Sequence, residues 1–337
     1  MTDGHGPSDT LRRSYDVLLL DLDGTVYRGA EPVPGAREAL TGGRDTVLYV
    51  TNNASRRPSE VALHLRELGF PADDSSVVTS SQSAARLLAE RFPAGAPVLV
   101  VGTDALAEEV AGVGLVPVRT ADAEPAAVVQ GHSPDTGWSM LAEATLAVRA
   151  GAVWVATNVD STLPTERGLV LGNGSMVAAV RNATGATPIV AGKPAAPLLE
   201  DAIRRAGARR PLVIGDRLDT DVEGANAVGA DSLLVLTGVS TVDDLLRAPA
   251  AQRPTYVATS LASLDQPAAQ LRVAPHTSWN VTVDDGDLHL AAVGETADPM
   301  EALRGLLDIA WANPGFGRIR PLDEHARSVV DAWAATA

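Results

Sequence analysis

Cysteine is missing altogether from this 337-residue chain. No disulfide framework, thiolate nucleophile or cysteine-ligated zinc or iron–sulfur centre can therefore be built. Positive charge is scarce too: 27 Lys and Arg face 42 Asp and Glu, for a formal net charge of −15. A polyanion would meet a repulsive average field, so no nucleic-acid partner is expected. The short clusters Arg204/Arg205 and Arg209/Arg210 fall among Ala and Glu at helical spacing and read as a solvated helix face. No apolar run approaches the roughly 18 to 20 residues that span a bilayer. The opening MTDGHGPSDTLRRS lacks the apolar segment of a signal peptide. A cytoplasmic protein without membrane association is the expectation.

What is present suits a large folded core. Hydrophobic residues make up 45% and charged residues 20%. The length exceeds what one core usually holds, which predicts two or three domains. Apolar, β-branched runs recur at Val17–Leu20, Val47–Val50, Val98–Val101, Ala127–Val129, Val153–Ala156, Pro188–Val190, Leu212–Ile214 and Leu233–Leu236. Helical patterns lie between most of them, as at Pro58–Leu68, Ser81–Arg91, Ser139–Ala150 and Ala195–Ala206. Strands alternating with helices and apolar on both faces describe a parallel sheet wrapped by helices, an α/β fold.

In such sheets ligands bind at the carboxyl ends of the strands. Four runs here end in DLDGT from Asp21, TNN from Thr51, AGKP with Lys193, and GDRLDTD with Asp216. More than 130 residues separate Thr51 from Lys193, far beyond the dozen or so that a crossover needs. The predicted organisation is a polar tail over 1–14, a core over 15–81 and 188–265, an inserted α/β cap over 82–187, and a small C-terminal α+β domain over 270–337. The last contains two alternating runs, Ser278–Val283 and Leu288–Val293, around a DDGD turn, then helical patterns at Pro299–Trp311 and Leu322–Trp333. Three of the five tryptophans fall there, which suggests a small core of its own.

Asp21 and Asp23 flank one residue on an extended chain, so their side chains project to one side while Leu22 points away. Two carboxylates facing one site repel unless a cation accompanies them. An oxygen-only donor set favours Mg²⁺, and Asp216 at another strand end would complete the site. A carboxylate can attack phosphorus, and its neighbour can donate and recover a proton. Lys193 and the Thr51 hydroxyl could hold phosphoryl oxygens.

The ordered set DLDGT, TNN, GKP and GDRLDTD resembles the four signature motifs of the haloacid dehalogenase superfamily. The large insertion resembles the subgroup of NagD-type and 4-nitrophenyl phosphatases. That likeness covers roughly residues 15 to 265 and implies a Rossmann-like core with a cap. It implies Asp21 as nucleophile and magnesium ligand, and Asp23 as general acid/base that ligates through its carbonyl. Thr51 and Asn52 would bind phosphate, Lys193 would neutralise it, Asp216 would hold magnesium, and Asp221 would act behind the metal, with Asp219 as its competitor. His132, opening the loop Gly131–Trp138, and Asn173 in Gly-Asn-Gly are candidate cap contacts to substrate. Val159 stands where relatives usually carry proline. Actinobacterial members with such a tail include glycerol 3-phosphate phosphatases, so the resemblance points to that ester. A phosphosugar, phosphoglycolate, pyridoxal phosphate or a nucleotide are the alternatives. A homodimer is a candidate assembly.

Other readings are weaker. Asp3-Gly4-His5-Gly6 with Gly215–Asp219 superficially matches two dimetal phosphoesterase motifs, but only six histidines are present and none follows a core strand. No GxxxxGK[ST] or GxSxG occurs. Asp219 and Thr220 could simply cap a helix at Val222–Val228. A phosphotransferase would use the same aspartyl chemistry, and a metabolite sensor could retain the fold without it.

Overall fold

The computed structural model describes residues 10–41, 46–165, 167–294 and 297–334; the first nine residues of the expected tail lie outside them. The chain divides into two compact units, Met1–Val47 with Ala208–Ala337, and Leu48–Gly207.

In the first unit four parallel strands run in the order Tyr256–Ala258, Asp231–Val235, Pro211–Gly215, Val17–Leu20. Every residue of Val17–Leu20 is buried, as a strand covered on both faces requires. Its register sets Leu20 opposite Ile214, and the Asp21 N–H extends the ladder to the Ile214 carbonyl at 2.8 Å. Residues 10–14 are not tail. Leu11–Ser14 forms a short 3₁₀ turn in which Leu11 is fully buried and its N–H bonds the Gln266 carbonyl at 2.8 Å. Apolar burial of Leu11 and the bonds of buried Arg12 to the Ala39 carbonyl at 2.9 Å and to Asp265 at 2.7 Å anchor this polar stretch.

The C-terminal hairpin pairs Trp279–Asp284 with Asp287–Ala292. Its turn residues Asp285 and Gly286 both have positive φ, at 46° and 78°, the conformation that twists two strands together. A third strand, Ile319–Pro321, adds in parallel. Helix Pro299–Ala312 starts on Asp298, whose carboxylate accepts the Met300 N–H at 3.0 Å, with Pro299 in the first turn. Contrary to the sequence expectation, this segment builds no separate core. Leu288, Leu290, Leu303, Leu306 and Leu307 join Leu218, Val222, Leu234 and Val257 in one continuous cluster. Buried Arg304 donates Nε to the Val257 carbonyl at 2.9 Å, and Trp311 Nε1 reaches the Leu245 carbonyl at 3.0 Å.

The second unit holds a parallel pair, in which Tyr49–Thr51 meets Val77–Thr79, and a five-stranded parallel sheet. The order of that sheet is Ile189–Val190, Val153–Ala156, Ala127–Gln130, Pro97–Val101, Val116–Val118. Alternation sends Val98 and Val100 to one face with Leu88, and Leu99 and Val101 to the other with Trp154. A hairpin of Thr162–Thr165 with Gly168–Leu171, not anticipated from sequence, projects Leu169 and Leu171 into solvent. Among the described residues no helix is long and apolar enough to cross a membrane.

Because Leu306 is fully buried in the shared cluster, Leu306→Ala should cost about 2–5 kcal/mol. Urea unfolding of the whole first unit should register that loss as a lowered midpoint. A low-midpoint transition confined to the C-terminal segment would show that its core is separate.

Candidate active site

Adjacent parallel strands bring Asp21 and Asp216 to the same end of the sheet, each one residue beyond its strand. Asp216 is completely enclosed. Its Oδ2 accepts the Val239 N–H at 2.7 Å, and the Thr25 hydroxyl lies 3.4 Å from Oδ1. The loop after Asp231–Val235 closes the cradle, with the Thr237 hydroxyl on the Gly24 carbonyl at 2.6 Å and the Ser240 N–H on the Asp216 carbonyl at 3.2 Å.

The helix expected at Val222–Val228 begins differently. Leu218–Val222 forms a π turn, with the Val222 N–H bonded to the Arg217 carbonyl at 3.2 Å, before helix Glu223–Ala227. Widened turns of this kind re-aim side chains and recur at functional sites. Asp221 is carried inward, 1% exposed, with Oδ2 accepting the Arg217 N–H at 3.1 Å. Asp219 turns outward and pairs with the Arg217 guanidinium at 2.8 Å, which holds its carboxyl below the usual range. The structure therefore separates the two competitors. Asp219 caps no helix.

Carboxylate oxygens of Asp21, Asp216 and Asp221 lie within 4.8 Å of one another. Space for this convergence depends on missing Cβ atoms. A Cβ on Gly238 would sit 1.8 Å from Asp216 Oδ2, one on Gly24 2.5 Å from the same atom, and one on Gly215 2.2 Å from Asp221. Three anionic groups this close need a cation, and an all-oxygen set suits Mg²⁺. Asp23 is exposed and its carboxylate is outside the cluster, while Leu22 between the two is buried, in keeping with the alternation.

In the second unit Thr51, Asn52 and Lys193 assemble around the loop before helix Ala196–Ala206. Thr51 is buried and its Oγ accepts the Asn53 N–H at 3.1 Å, which leaves the hydroxyl proton available to an anion. Lys193 is 2% exposed, its Nζ 3.3 Å from the Val50 carbonyl. Asn52, expected to hold phosphate, spends its side chain on Lys193: Oδ1 accepts the Lys193 N–H at 2.8 Å and Nδ2 donates to the Lys193 carbonyl at 2.9 Å. Its Nδ2 also lies 3.4 Å from Asp160 Oδ2.

His132 lines a cavity of about 750 Å³ together with Ser161, Leu163, Thr165, Leu169 and Leu171. Burial lowers its imidazole pKa, so near neutral pH it offers a neutral ring and no cation. Asn173 is not on that wall. It is buried, donating to the carbonyls of Asn158 at 2.7 Å and Gln130 at 3.3 Å. Sequence reading passed over Asn158 and the loop Thr237–Ser240. Thr237 directly follows an apolar run and Asn158 stands two residues beyond one, the signal that exposed the other strand ends.

A haloacid dehalogenase-like hydrolase family model matches residues 18–116, and a HAD-hydrolase-like model matches 190–264. A D-glycerol 3-phosphate phosphatase of Mycobacterium tuberculosis is 52% identical over 96% of both chains. An acid sugar phosphatase of Staphylococcus aureus is 36% identical over 69% of this chain and 91% of its own. A crystal structure of glycerol phosphate phosphatase from Mycobacterium tuberculosis in complex with magnesium superposes with a TM-score of 0.94 at 53% identity, covering 97% of this chain and 99% of that one. The p-nitrophenyl phosphatase of Archaeoglobus fulgidus gives 0.69 at 29% identity over 74% of this chain and 98% of its own.

Three substitutions test the carboxylate cluster. Asp221→Asn should weaken Mg²⁺ binding measured by titration calorimetry, whereas Asp219→Asn, outside the cluster, should leave it unchanged. Gly238→Ala, whose Cβ would overlap Asp216, should abolish the binding heat altogether. Unaltered titration of Gly238→Ala would remove Asp216 from the metal site. On the motifs, the fold and these similarities together, the chain belongs to the haloacid dehalogenase-like hydrolases and is a phosphatase.

Proposed function

We propose that this phosphatase hydrolyses glycerol 3-phosphate to glycerol and inorganic phosphate, through an aspartyl-phosphate on Asp21 and with Mg²⁺ held by Asp21, Asp216 and the Asp23 carbonyl. The observation that carries the reading is the convergence of three carboxylates at the ends of two neighbouring strands, with the side chain of Asp221 added to the expected set. The substrate assignment is supported by the 52% identity over 96% of both chains with an enzyme named for that ester. Mg²⁺ bound there would offset the carboxylate charge and that of the substrate phosphate.

In the first step an Asp21 oxygen bonds to phosphorus while the bond to the glycerol oxygen breaks, and Asp23 gives that oxygen its proton. In the second, water attacks phosphorus, Asp23 recovers a proton, and Asp21 leaves as carboxylate. Lys193 and Thr51 take the roles that the motif order implies, neutralising and hydrogen-bonding the phosphoryl oxygens. Residues 82–187 act as a specificity cap over a core of 15–81 and 188–265, with His132 presenting a neutral ring to the organic part of the ester. The protein works in the cytoplasm without a nucleic-acid partner, with a homodimer as its candidate assembly.

A panel of phosphate monoesters assayed with and without Mg²⁺ tests the substrate. Glycerol 3-phosphate should give the highest kcat/KM, and chelation should abolish turnover. A better phosphosugar or phosphoglycolate would overturn the assignment. Asp21→Asn should lose turnover with the fold intact. Asp23→Asn should fall on the order of 10² to 10⁴ in rate, with the deficit shrinking for 4-nitrophenyl phosphate, whose leaving group needs little protonation.

A further inference from the structure

Three asparagines of the second unit are linked end to end. Asn173 Nδ2 donates to the Asn158 carbonyl at 2.7 Å, Asn158 Nδ2 to the Asn52 carbonyl at 2.8 Å, and Asn52 Nδ2 to the Lys193 carbonyl at 2.9 Å. The last link is doubled, because Asn52 Oδ1 also accepts the Lys193 N–H at 2.8 Å. All but Asn52 are buried, so each amide is held by bonds that water cannot replace. The Asn52 carbonyl is fixed a second time by the Ser80 hydroxyl at 2.6 Å.

The glycines beside these residues are needed for the same contacts. A Cβ on Gly174 would lie 2.1 Å from the Val159 carbonyl oxygen, and one on Gly172 would lie 2.2 Å from that of Asp160. Gly-Asn-Gly is therefore the means by which Asn173 approaches the backbone after Val153–Ala156. Gly192 does the same for Lys193, since a Cβ there would be 2.5 Å from the Thr157 carbonyl and 2.6 Å from Asn52 Oδ1. Asn173 lies two residues after the hairpin strand Gly168–Leu171, whose Leu169 and Leu171 line the cavity beside His132.

We infer that Asn173, Asn158 and Asn52 are positioning residues for Lys193, an amide relay that makes the lysine and the base of the cavity-lining hairpin one rigid piece. The inference rests on the reading of Lys193 as the phosphoryl-neutralising group. A lysine whose partner charge develops during phosphoryl transfer contributes to kcat more than to substrate binding. A small displacement of such a group costs rate steeply.

The test uses the full chain with Mg²⁺, glycerol 3-phosphate as substrate, and orthovanadate as a mimic of the transferring phosphoryl group. Asn158→Ala should lower kcat at least about tenfold with KM little changed, and weaken vanadate inhibition by a similar factor. Asn173→Ala, one link further out, should move both quantities in the same direction by less, and it carries the test alone if Asn158→Ala does not fold. Lys193→Ala provides the reference, with both turnover and vanadate inhibition lost. Folded relay variants that keep wild-type kcat and vanadate sensitivity while Lys193→Ala loses both would overturn the relay. A rise in KM alone, with vanadate inhibition intact, would overturn it too, making the asparagines struts of the substrate loop. Wild-type behaviour of Lys193→Ala would instead overturn the reading of the lysine itself.

Discussion

Carboxylate oxygens of Asp21, Asp216 and Asp221 share a space under 4.8 Å across, and Asp216 and Asp221 are closed off from solvent. Like charges at that separation repel strongly where water cannot screen them, so the surrounding structure has to hold them against that force. Much of the first unit can be understood as the answer. Parallel register delivers Asp21 and Asp216 to one end of the sheet, and the π turn after Arg217 delivers Asp221. Backbone N–H groups of Val239 and Arg217 are aimed at the two buried carboxylates, and glycines at 24, 215 and 238 leave room for them. A divalent cation is the counter-charge that such an arrangement would accept.

The C-terminal segment acts on the same region from behind. Leu218 and Val222, the two ends of the π turn, belong to the cluster that Leu303, Leu306 and Leu307 complete. About 65 residues bury too little apolar surface to be secure alone. Sharing a core solves that problem and also braces the turn that carries Asp221. Stability and site geometry are in this way linked through packing, and among the described residues the carboxylate cluster takes no side chain from the C-terminal segment.

Around Lys193 the second unit uses uncharged polar groups. Lys193 sits in a frame of amides in which backbone carbonyls accept side-chain N–H groups, and glycines allow the chains to approach closely. Such bonds carry no net charge, and they fix the backbone on both sides of the lysine side chain.

The sequence alone determined the parallel α/β architecture, because alternation of β-branched runs with helical patterns leaves few other ways to bury both faces. It also marked Asp21, Thr51, Lys193 and Asp216, since polar residues directly after apolar runs must emerge at strand ends. Asp285-Gly286 specified its own turn through positive φ. Other features were decided only by tertiary structure. Asp219 and Asp221 are two residues apart in a polar stretch, and nothing local distinguishes them; a π turn packed on Leu234 and Leu245 sends one inward and one to Arg217. Asn52 looked like a phosphate ligand by position, yet its amide is committed to a backbone 141 residues away. Leu11 is one apolar residue in a polar stretch, and only the distant Gln266 carbonyl and the surrounding core turn it into an anchor. In each case the outcome depends on long-range contacts, and local propensity and periodicity carry no record of those.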